Sequence, residues 1–192
     1  MHSLYAYGHS WIDGDGASTR SRCLVEIAAT QLRMTAENRG VGGSLSTATA
    51  DLVSAEAPAY GDVFVLMTGL NDARMHGPST TALRRYATAL AAIFRVLRKT
   101  NGDATIIAVE QPYLIDYSRH APHNIGSDAA VDAYNAYLRE VAAAHPATRL
   151  AAVDGWDRYN MLADDTVHPN DAGHACIAAA VIRAGQAAVG IP

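Results

Sequence analysis

Residues 63–72 read Val63-Phe64-Val65-Leu66-Met67-Thr68-Gly69-Leu70-Asn71-Asp72, a short apolar run that ends in a glycine and two polar side chains. A run of this length, bounded by turn residues, is typical of a strand buried on both faces of a parallel sheet. The polar residues after it would emerge at the carboxyl edge of that sheet, where open α/β folds bind ligands. We therefore predict a buried strand over Val63–Thr68 with functional residues directly behind it.

The same pattern recurs five times along the chain, and each short apolar run alternates with a longer amphipathic one. Such alternation implies a parallel sheet covered by helices on both faces. We predict a single α/β domain over residues 1–192, a flavodoxin-like three-layer α/β/α sandwich whose five-stranded parallel sheet has the order 2-1-3-4-5. The predicted strands are Leu4–Tyr7, Ala36–Arg39, Val63–Thr68, Thr105–Glu110 and Arg149–Val153, and the predicted helices are Thr19–Met34, Ser46–Glu56, Thr80–Thr100, Asp128–His145 and Asp171–Val189.

The composition excludes several classes of protein. Of the 192 residues, 49% are hydrophobic and 18% are charged, which rules out a disordered, collagen-like or coiled-coil chain. A net charge of −4 offers no basic footprint for nucleic acid or for an anionic membrane surface. The longest apolar run, Ala175–Ile182, is too short to span a membrane. The first residues lack the pattern of a signal peptide, which favours the cytoplasm, and the oligomeric state stays open.

Four short polar segments each come after a predicted strand. Together they supply a hydroxyl nucleophile, a glycine amide, an asparagine amide and an Asp/His pair, which is the inventory that acyl transfer requires. In a sheet of order 2-1-3-4-5, the first three segments leave adjacent strand ends and converge, while the fourth must return from the far edge strand. The segments are Gly8–Trp11, Asn38–Gly43, Gly69–Asp72 and Asp165–Asn170.

These residues resemble the SGNH hydrolases, also called GDSL-type esterases and lipases. The blocks of that family appear in order and over nearly the whole chain as Gly8-His9-Ser10, Gly43, Gly69-Leu70-Asn71-Asp72 and Asp165-Thr166-Val167-His168-Pro169. The resemblance implies that Ser10 is the nucleophile, that His168 is the base and that Asp165 orients it. It further implies an oxyanion hole made by the backbone N–H groups of Ser10 and Gly43 and the side chain of Asn71, with no metal or organic cofactor.

The first block departs from the family pattern because His9 replaces the usual aspartate. Adjacent side chains at the end of a strand point to opposite faces, so we expect the His9 ring to face away from Ser10 and to pack or hydrogen-bond in the turn. Two neighbouring residues remain alternatives for site roles. Gly42 could replace Gly43 as the oxyanion donor, and Asp164 could replace Asp165 as the partner of the histidine.

The leading hypothesis is a serine esterase that hydrolyses ester or thioester bonds of small to medium acyl substrates. One alternative is an acyltransferase that passes the acyl group to an alcohol or a sugar, and another is a non-catalytic flavodoxin-like module that binds phosphate or flavin at residues 10–18. Aromatic and methionine side chains near the sheet edge are candidates for a substrate pocket, although core packing explains them equally well. They are Trp11, Met75, Tyr113, Trp156 and Tyr159.

The remaining reactive residue types have simpler interpretations. His120 and His123 have a spacing seen in metal sites, but no cysteine or carboxylate pair accompanies them, so we interpret them as solvated loop residues. Asp13-Gly14-Asp15-Gly16 lacks the later ligands of a calcium loop and is interpreted as a polar turn. We predict no metal site. Cys23 and Cys176 are expected to be small buried side chains rather than a disulfide, and His174 is expected at the surface or as a helix cap.

Overall fold

The computed structural model describes residues 2–58 and 60–189. Five parallel strands form one sheet in the order β2-β1-β3-β4-β5, which confirms the predicted fold and strand order. All five residues of the third strand are buried, as expected for a strand between two helical layers. The strands are β1 (Ser3–Gly8), β2 (Thr35–Gly40), β3 (Val63–Met67), β4 (Thr105–Val109) and β5 (Thr148–Ala151).

Helices cover both faces of this sheet. Within the described residues they are α1 (Ser10–Asp13), α2 (Leu24–Leu32), α3 (Ser46–Glu56), α4 (Leu70–His76), α5 (Thr80–Thr100), α6 (Asp128–Ala143), α7 (Arg158–Met161) and α8 (Asp171–Val189). Helices α2 and α8 pack together on one face, while α3, α5 and α6 form the layer on the other. The apolar stripe of α5 points into the core, since Tyr86, Leu90, Ile93 and Phe94 are fully buried.

The predicted helix over Thr19–Met34 is wrong at both ends. Cys23 has an extended backbone between a short 3₁₀ turn, Arg20–Arg22, and the start of α2, so the helix cannot run through it. At the other end Arg33 adopts a left-handed conformation with φ 56°, which ends α2 and turns the chain into β2.

Other predicted boundaries differ by one or two residues, and three short helices were not predicted. The predicted strands Val63–Thr68, Thr105–Glu110 and Arg149–Val153 each extend past the last residue that pairs in the sheet, and α6 ends two residues before His145. Helices α1, α4 and α7 are four to seven residues long. Hydrophobic periodicity cannot identify helices of this length, because they contain at most two turns.

Gly8 and Gly69 allow the ends of β1 and β3 to approach each other and the helical layer. Gly8 has φ 153°, and a Cβ there would lie 2.0 Å from the carbonyl oxygen of Met67. Gly69 has φ 117°, and a Cβ there would lie 2.8 Å from the Tyr86 ring. Only glycine fits such close approaches without strain. Both glycines directly precede segments that carry proposed site residues.

Candidate active site

Ser10, His168 and Asp165 form a hydrogen-bonded chain although 158 positions separate the serine from the histidine. Ser10 Oγ lies 3.1 Å from His168 Nε2, and His168 Nδ1 lies 2.6 Å from Asp165 Oδ2. The side chain of His168 is 27% exposed, so solvent reaches the middle residue of this hydrogen-bonded chain. The structure therefore brings together the three residues that the sequence suggested for nucleophile, base and acid.

Ser10 owes its position to the short helix α1, which begins directly after β1. His9 caps this helix, and its Nδ1 accepts a hydrogen bond from the backbone N–H of Trp11 at 3.3 Å. As the first residue of α1, Ser10 has a backbone N–H with no partner inside the helix. Since this N–H also has no acceptor elsewhere in residues 2–58 and 60–189, a free donor lies on the same residue as the hydroxyl.

The loop after β5 returns to the serine through a tight turn over residues 162–169. Leu162 and Pro169 form an antiparallel bridge, and the N–H of Ala163 donates to the carbonyl oxygen of His168 at 2.8 Å. Earlier in the loop, the Trp156 ring stacks on the buried Trp11 ring with centroids 5.6 Å apart. The first two contacts close the turn on itself, and the stacked tryptophans hold the loop after β5 against α1.

Asp165 is held in its charged form by its own loop. Partial burial opposes the charge, but the backbone N–H and ring of His168 and the N–H of Val167 donate to the carboxylate, and the pKa of Asp165 is lowered. Asp164 is exposed and pairs with no cation among the described residues. Of the two candidate acids, Asp165 is therefore the one that contacts His168.

His9 lies in the core rather than beside the serine hydroxyl. Its side chain is fully buried, and its Nε2 donates to Gln111 Oε1 at 2.9 Å while Nδ1 accepts from Trp11. Gln111 Nε2 in turn donates to the carbonyl oxygen of Thr68 at 3.3 Å. Burial lowers the pKa of His9 to about 4. The expectation that this ring packs or hydrogen-bonds in the turn is confirmed by its bond with Trp11, and the bond with Gln111 adds a contact outside the turn.

Asn71 lies in the first turn of α4 and is 4% exposed. Its Nδ2 donates to the carbonyl oxygen of Ser44 at 3.1 Å, and its Oδ1 lies 3.4 Å from Arg74 Nη1. A guanidinium has donors only, so it fixes the oxygen of the amide on the Arg74 side and the NH₂ on the Ser44 side. The second N–H of that NH₂ has no acceptor in the described part of the chain and is free to donate.

Residues 41–44 form a turn after β2 that hydrogen-bonds both to the end of β1 and to Asn71. The N–H of Val41 and the hydroxyl of Ser44 both donate to the carbonyl oxygen of Gly8, at 2.9 and 3.2 Å. Gly43 has φ 73°, and no acceptor for its N–H occurs in the part of the chain that the structure describes. The N–H of Gly42 is also without such an acceptor, so both glycine amides stay available.

Asp72 anchors α4 to the start of α3. Its two carboxylate oxygens accept from the hydroxyl and the backbone N–H of Ser46 at 2.6 and 2.9 Å. Burial raises the pKa of Asp72, and the bonds from Ser46 act in the opposite direction. This buried contact fixes the position from which Asn71 projects.

The candidate pocket residues are dispersed. Trp11 has no exposed surface and supports Trp156, so it does not line an open pocket. Tyr113 and Trp156 line a cavity of about 300 Å³ at the ends of β4 and β5, and the described lining of that cavity includes no member of the Ser10–His168–Asp165 chain. Met75 is half-buried in α4, and Tyr159 is 76% exposed.

Several residues near the site were missed or misjudged from sequence. Gln111 contacts His9, Arg74 contacts Asn71, and Asp15 contacts His168. Of these three residues, only Gln111 had a local signal in the sequence, its position at the end of a predicted strand. His174 is fully buried, which corrects its expected place at the surface, but its Nδ1 accepts the N–H of Leu24, the first residue of α2, so it does cap a helix. Both cysteines are free, and Cys23 is buried as expected, but Cys176 is only half-buried.

No group of three or more His, Cys, Asp or Glu side chains within residues 2–58 and 60–189 is arranged to hold a metal ion. His120 Nε2 lies 3.2 Å from the carbonyl oxygen of Asp165, and partial burial lowers the pKa of His123. In the described part of the chain, every helix is too short or too polar to cross a bilayer.

Comparisons with known proteins agree with the fold described above. A search of curated proteins finds no match. Among solved structures, an α/β hydrolase enzyme, LAE5, from the metagenome of Lake Arreo in Spain is similar at 26% identity, a TM-score of 0.71 and coverage of 98% of this chain and 95% of that one. A lipase/acylhydrolase from Enterococcus faecalis matches at 17% identity, with a TM-score of 0.72 and coverage of 95% and 94%. A GDSL-like lipase from Parabacteroides merdae matches at 18% identity, with a TM-score of 0.73 and coverage of 98% and 95%.

The last two likenesses show the fold alone, because their identities are below one quarter. The sequence itself matches the family profile described as GDSL-like lipase/acylhydrolase over residues 6–176, a range that includes Ser10, Gly43, Asn71, Asp165 and His168. The resemblance noted from the four blocks is confirmed, and this chain belongs to the GDSL-like lipase/acylhydrolase family.

Proposed function

We propose that the chain is a serine esterase that hydrolyses carboxylic ester or thioester bonds of small to medium acyl substrates. The observation that carries this proposal is the unbroken hydrogen-bonded chain from Ser10 Oγ through His168 to Asp165. A serine hydroxyl becomes a nucleophile when a neighbouring base takes its proton, and a carboxylate on the other ring nitrogen stabilises the resulting imidazolium. The membership in a family of lipases and acylhydrolases supports the same reaction class.

The reaction proceeds in two steps on this geometry. His168 Nε2 takes the Ser10 proton while Oγ forms a bond to the carbonyl carbon. The bond from that carbon to the leaving oxygen or sulfur then breaks, the electron pair goes to the leaving atom, and Nε2 returns the proton to it. In the second step a water molecule, deprotonated by the same nitrogen, forms a bond to the acyl carbon. The bond from that carbon to Ser10 Oγ then breaks, its electron pair goes to Oγ, and Nε2 returns the proton to Oγ as the acid leaves.

Three donors stabilise the tetrahedral oxyanion in this proposal. They are the backbone N–H groups of Ser10 and Gly43 and the free N–H of Asn71 Nδ2. The first two have no acceptor among the described residues, and Arg74 holds the third in a single orientation. Burial lowers the pKa of Arg74, and the charge of Asp165 acts in the opposite direction. Donors that are fixed before the reaction need no reorganisation when the negative charge develops.

The test is hydrolysis of a series of p-nitrophenyl esters from acetate to laurate by the protein and by Ser10→Ala. We expect turnover on the shorter esters, and loss of that turnover in the variant. A fluorophosphonate should label the protein once, at Ser10, as seen by peptide mass mapping. Full activity of Ser10→Ala, or a label on another residue with Ser10 unmodified, contradicts the proposal. Product analysis with an added alcohol separates hydrolysis from acyl transfer.

A further inference from the structure

Asp15 brings a second carboxylate to His168, on the side of the ring that faces the serine. Asp15 Oδ2 lies 3.7 Å from His168 Nε2, the same nitrogen that lies 3.1 Å from Ser10 Oγ. The side chain of Asp15 is 49% exposed, so solvent and solutes reach its carboxylate. His168 therefore has an acid at each ring nitrogen, with Asp165 close to Nδ1 and Asp15 close to Nε2.

Buried contacts fix the backbone of Asp15. Its N–H donates to the carbonyl oxygen of Ser10 at 3.0 Å, and its own carbonyl oxygen accepts from His174 Nε2 at 3.1 Å. His174 is fully buried, and its Nδ1 accepts the N–H of Leu24 at 3.3 Å, which holds the ring in place. The N–H and the carbonyl oxygen of Asp15 are both hydrogen-bonded. Its backbone therefore has a fixed position beside the site, from which the side chain extends.

Within residues 2–58 and 60–189, the Asp15 carboxylate forms an ion pair with His168 alone. The nearby arginines are occupied elsewhere, since Arg20 pairs with Glu26 and Arg22 with Asp171. Asp15 Oδ2 also lies 3.7 Å from the point where a Cβ would stand on Gly42. The carboxylate thus lies between the histidine and the turn over residues 41–44, with its charge available to a bound molecule.

Asp15 lies on the side of the site where the alcohol or thiol portion of an ester would bind. In the mechanism proposed above, His168 Nε2 donates its proton to the leaving oxygen or sulfur, so that atom must come within hydrogen-bond distance of Nε2. The alcohol or thiol portion attached to it then lies within a few ångströms of the Asp15 carboxylate. The carbonyl oxygen faces Asn71 instead, and the acyl portion is not constrained by Asp15.

We propose that Asp15 selects the leaving group, favouring esters and thioesters whose alcohol or thiol portion carries a positive charge and disfavouring those with a negative one. This inference rests on the proposed function, because it uses the direction in which His168 donates its proton. Two unit charges about 6 Å apart at a partly exposed site interact strongly enough to change a rate constant about 3- to 10-fold. The effect should shrink as added salt screens it.

Three acetyl thioesters that differ in charge test the proposal, with release of the thiol as the readout. They are acetylthiocholine, its neutral isostere S-(3,3-dimethylbutyl) thioacetate, and the anionic S-acetyl-3-mercaptopropanoate. For the unaltered protein we expect kcat/KM to be about 3- to 10-fold higher for the cationic thioester than for the neutral one, and lowest for the anionic one. In Asp15→Asn the three values should converge.

Asp13→Asn is the matched control. Asp13 precedes Asp15 by two residues, carries the same charge and is exposed, and it makes no ion pair with His168 among the described residues. This variant should keep the preference for the cationic thioester. The proposal is overturned if Asp15→Asn lowers all three rates equally, which would mean that Asp15 acts only through His168. It is also overturned if Asp13→Asn loses the preference to the same extent, which would mean a diffuse effect of net charge.

A binding measurement keeps this inference separate from the proposed function. Ketone analogues of the cationic and neutral thioesters, with CH₂ in place of sulfur, cannot be cleaved, and titration calorimetry on Ser10→Ala gives their affinities without any turnover. We expect about 3- to 10-fold tighter binding of the cationic ketone, lost in Ser10→Ala/Asp15→Asn. Equal affinities overturn the role of Asp15 even in an active esterase. Unequal affinities with no hydrolysis of any thioester overturn the esterase and leave the charge preference standing.

Discussion

The molecule holds two histidines near Ser10 in very different surroundings. His9 is the neighbour of Ser10 in sequence, yet it is fully buried and both ring nitrogens are bound, to Trp11 and to Gln111. His168 lies 158 positions away, yet its Nε2 faces the serine hydroxyl and its Nδ1 faces a carboxylate. The comparison shows that the partners of a histidine, rather than its nearness in sequence, decide whether it can accept a proton from a nucleophile.

The largest expected effect tests the His168 half of this comparison. His168→Ala and Ser10→Ala should each lower turnover by about 10⁴- to 10⁶-fold, because the two residues act as one unit. The double variant should be little worse than either single one. Steady-state kinetics on a p-nitrophenyl ester measure this, and losses that add in the logarithm of the rate would show that the two residues do not share a mechanism.

The second-largest expected effect is that of Asn71→Ala on turnover. It tests whether a buried side chain can still take part in the reaction. Asn71 is as buried as the His9 network, but it keeps one free N–H, so Asn71→Ala should lower kcat by about 10²- to 10³-fold with a smaller change in KM. Asn135→Ala is the control, since that buried amide also makes one bond through its oxygen and one through its NH₂, but both go to the backbone of Gln111 and none to the turn over residues 41–44. A change of Asn71→Ala confined to KM, or an equal loss of kcat in Asn135→Ala, would contradict the role of Asn71.

The buried histidine, His9, should affect the free energy of unfolding of the protein more than the rate of the reaction. The pKa of His9 is lowered to about 4 in the folded protein, whereas an unfolded histidine titrates near 6.5, so below about pH 6.5 the unfolded chain binds a proton that the folded one does not. The free energy of unfolding should therefore fall by up to about 3 kcal/mol as the pH drops from 6.5 to 4.

Urea unfolding at several pH values measures this loss, and His9→Ala serves as the reference without the titrating ring. The difference in stability between the two proteins should be greatest above pH 6.5 and should shrink towards pH 4. A difference that stays constant over this range would show that His9 is not held neutral by burial.

The smallest expected effect is that of His9→Ala on turnover. Loss of its two hydrogen bonds should lower the free energy of unfolding by about 1–3 kcal/mol, while at least about a tenth of the turnover remains. His9→Asp, which restores the usual residue of the family at this position, should behave similarly in the assay. An inactive His9→Ala beside an active His168→Ala would reverse the assignment of the base.

Much of the fold was predictable because local patterns report burial directly. The all-apolar run in β3, the stripe on α5 and the turn residues between them predicted the elements, whereas the order of the sheet followed from the flavodoxin-like class of parallel sheets. The helix over Thr19–Met34 was wrong because the polar residues Thr19–Arg22 also suit an exposed first turn of a helix, so the sequence does not mark the extended backbone at Cys23. Boundaries failed for the same reason, since periodicity averages over several residues.

The sequence by itself determined the family, the candidate residues Ser10, Asp165 and His168, and their common edge of the sheet, because parallel strands all end on one side. Only the tertiary structure decided where individual side chains point. Gln111 contacts His9 across 102 positions of the sequence and Asp15 contacts His168 across 153, and no local pattern encodes such pairs. These contacts depend on the path of the loops and on the direction in which each side chain extends from its turn. Packing of the whole chain fixes both.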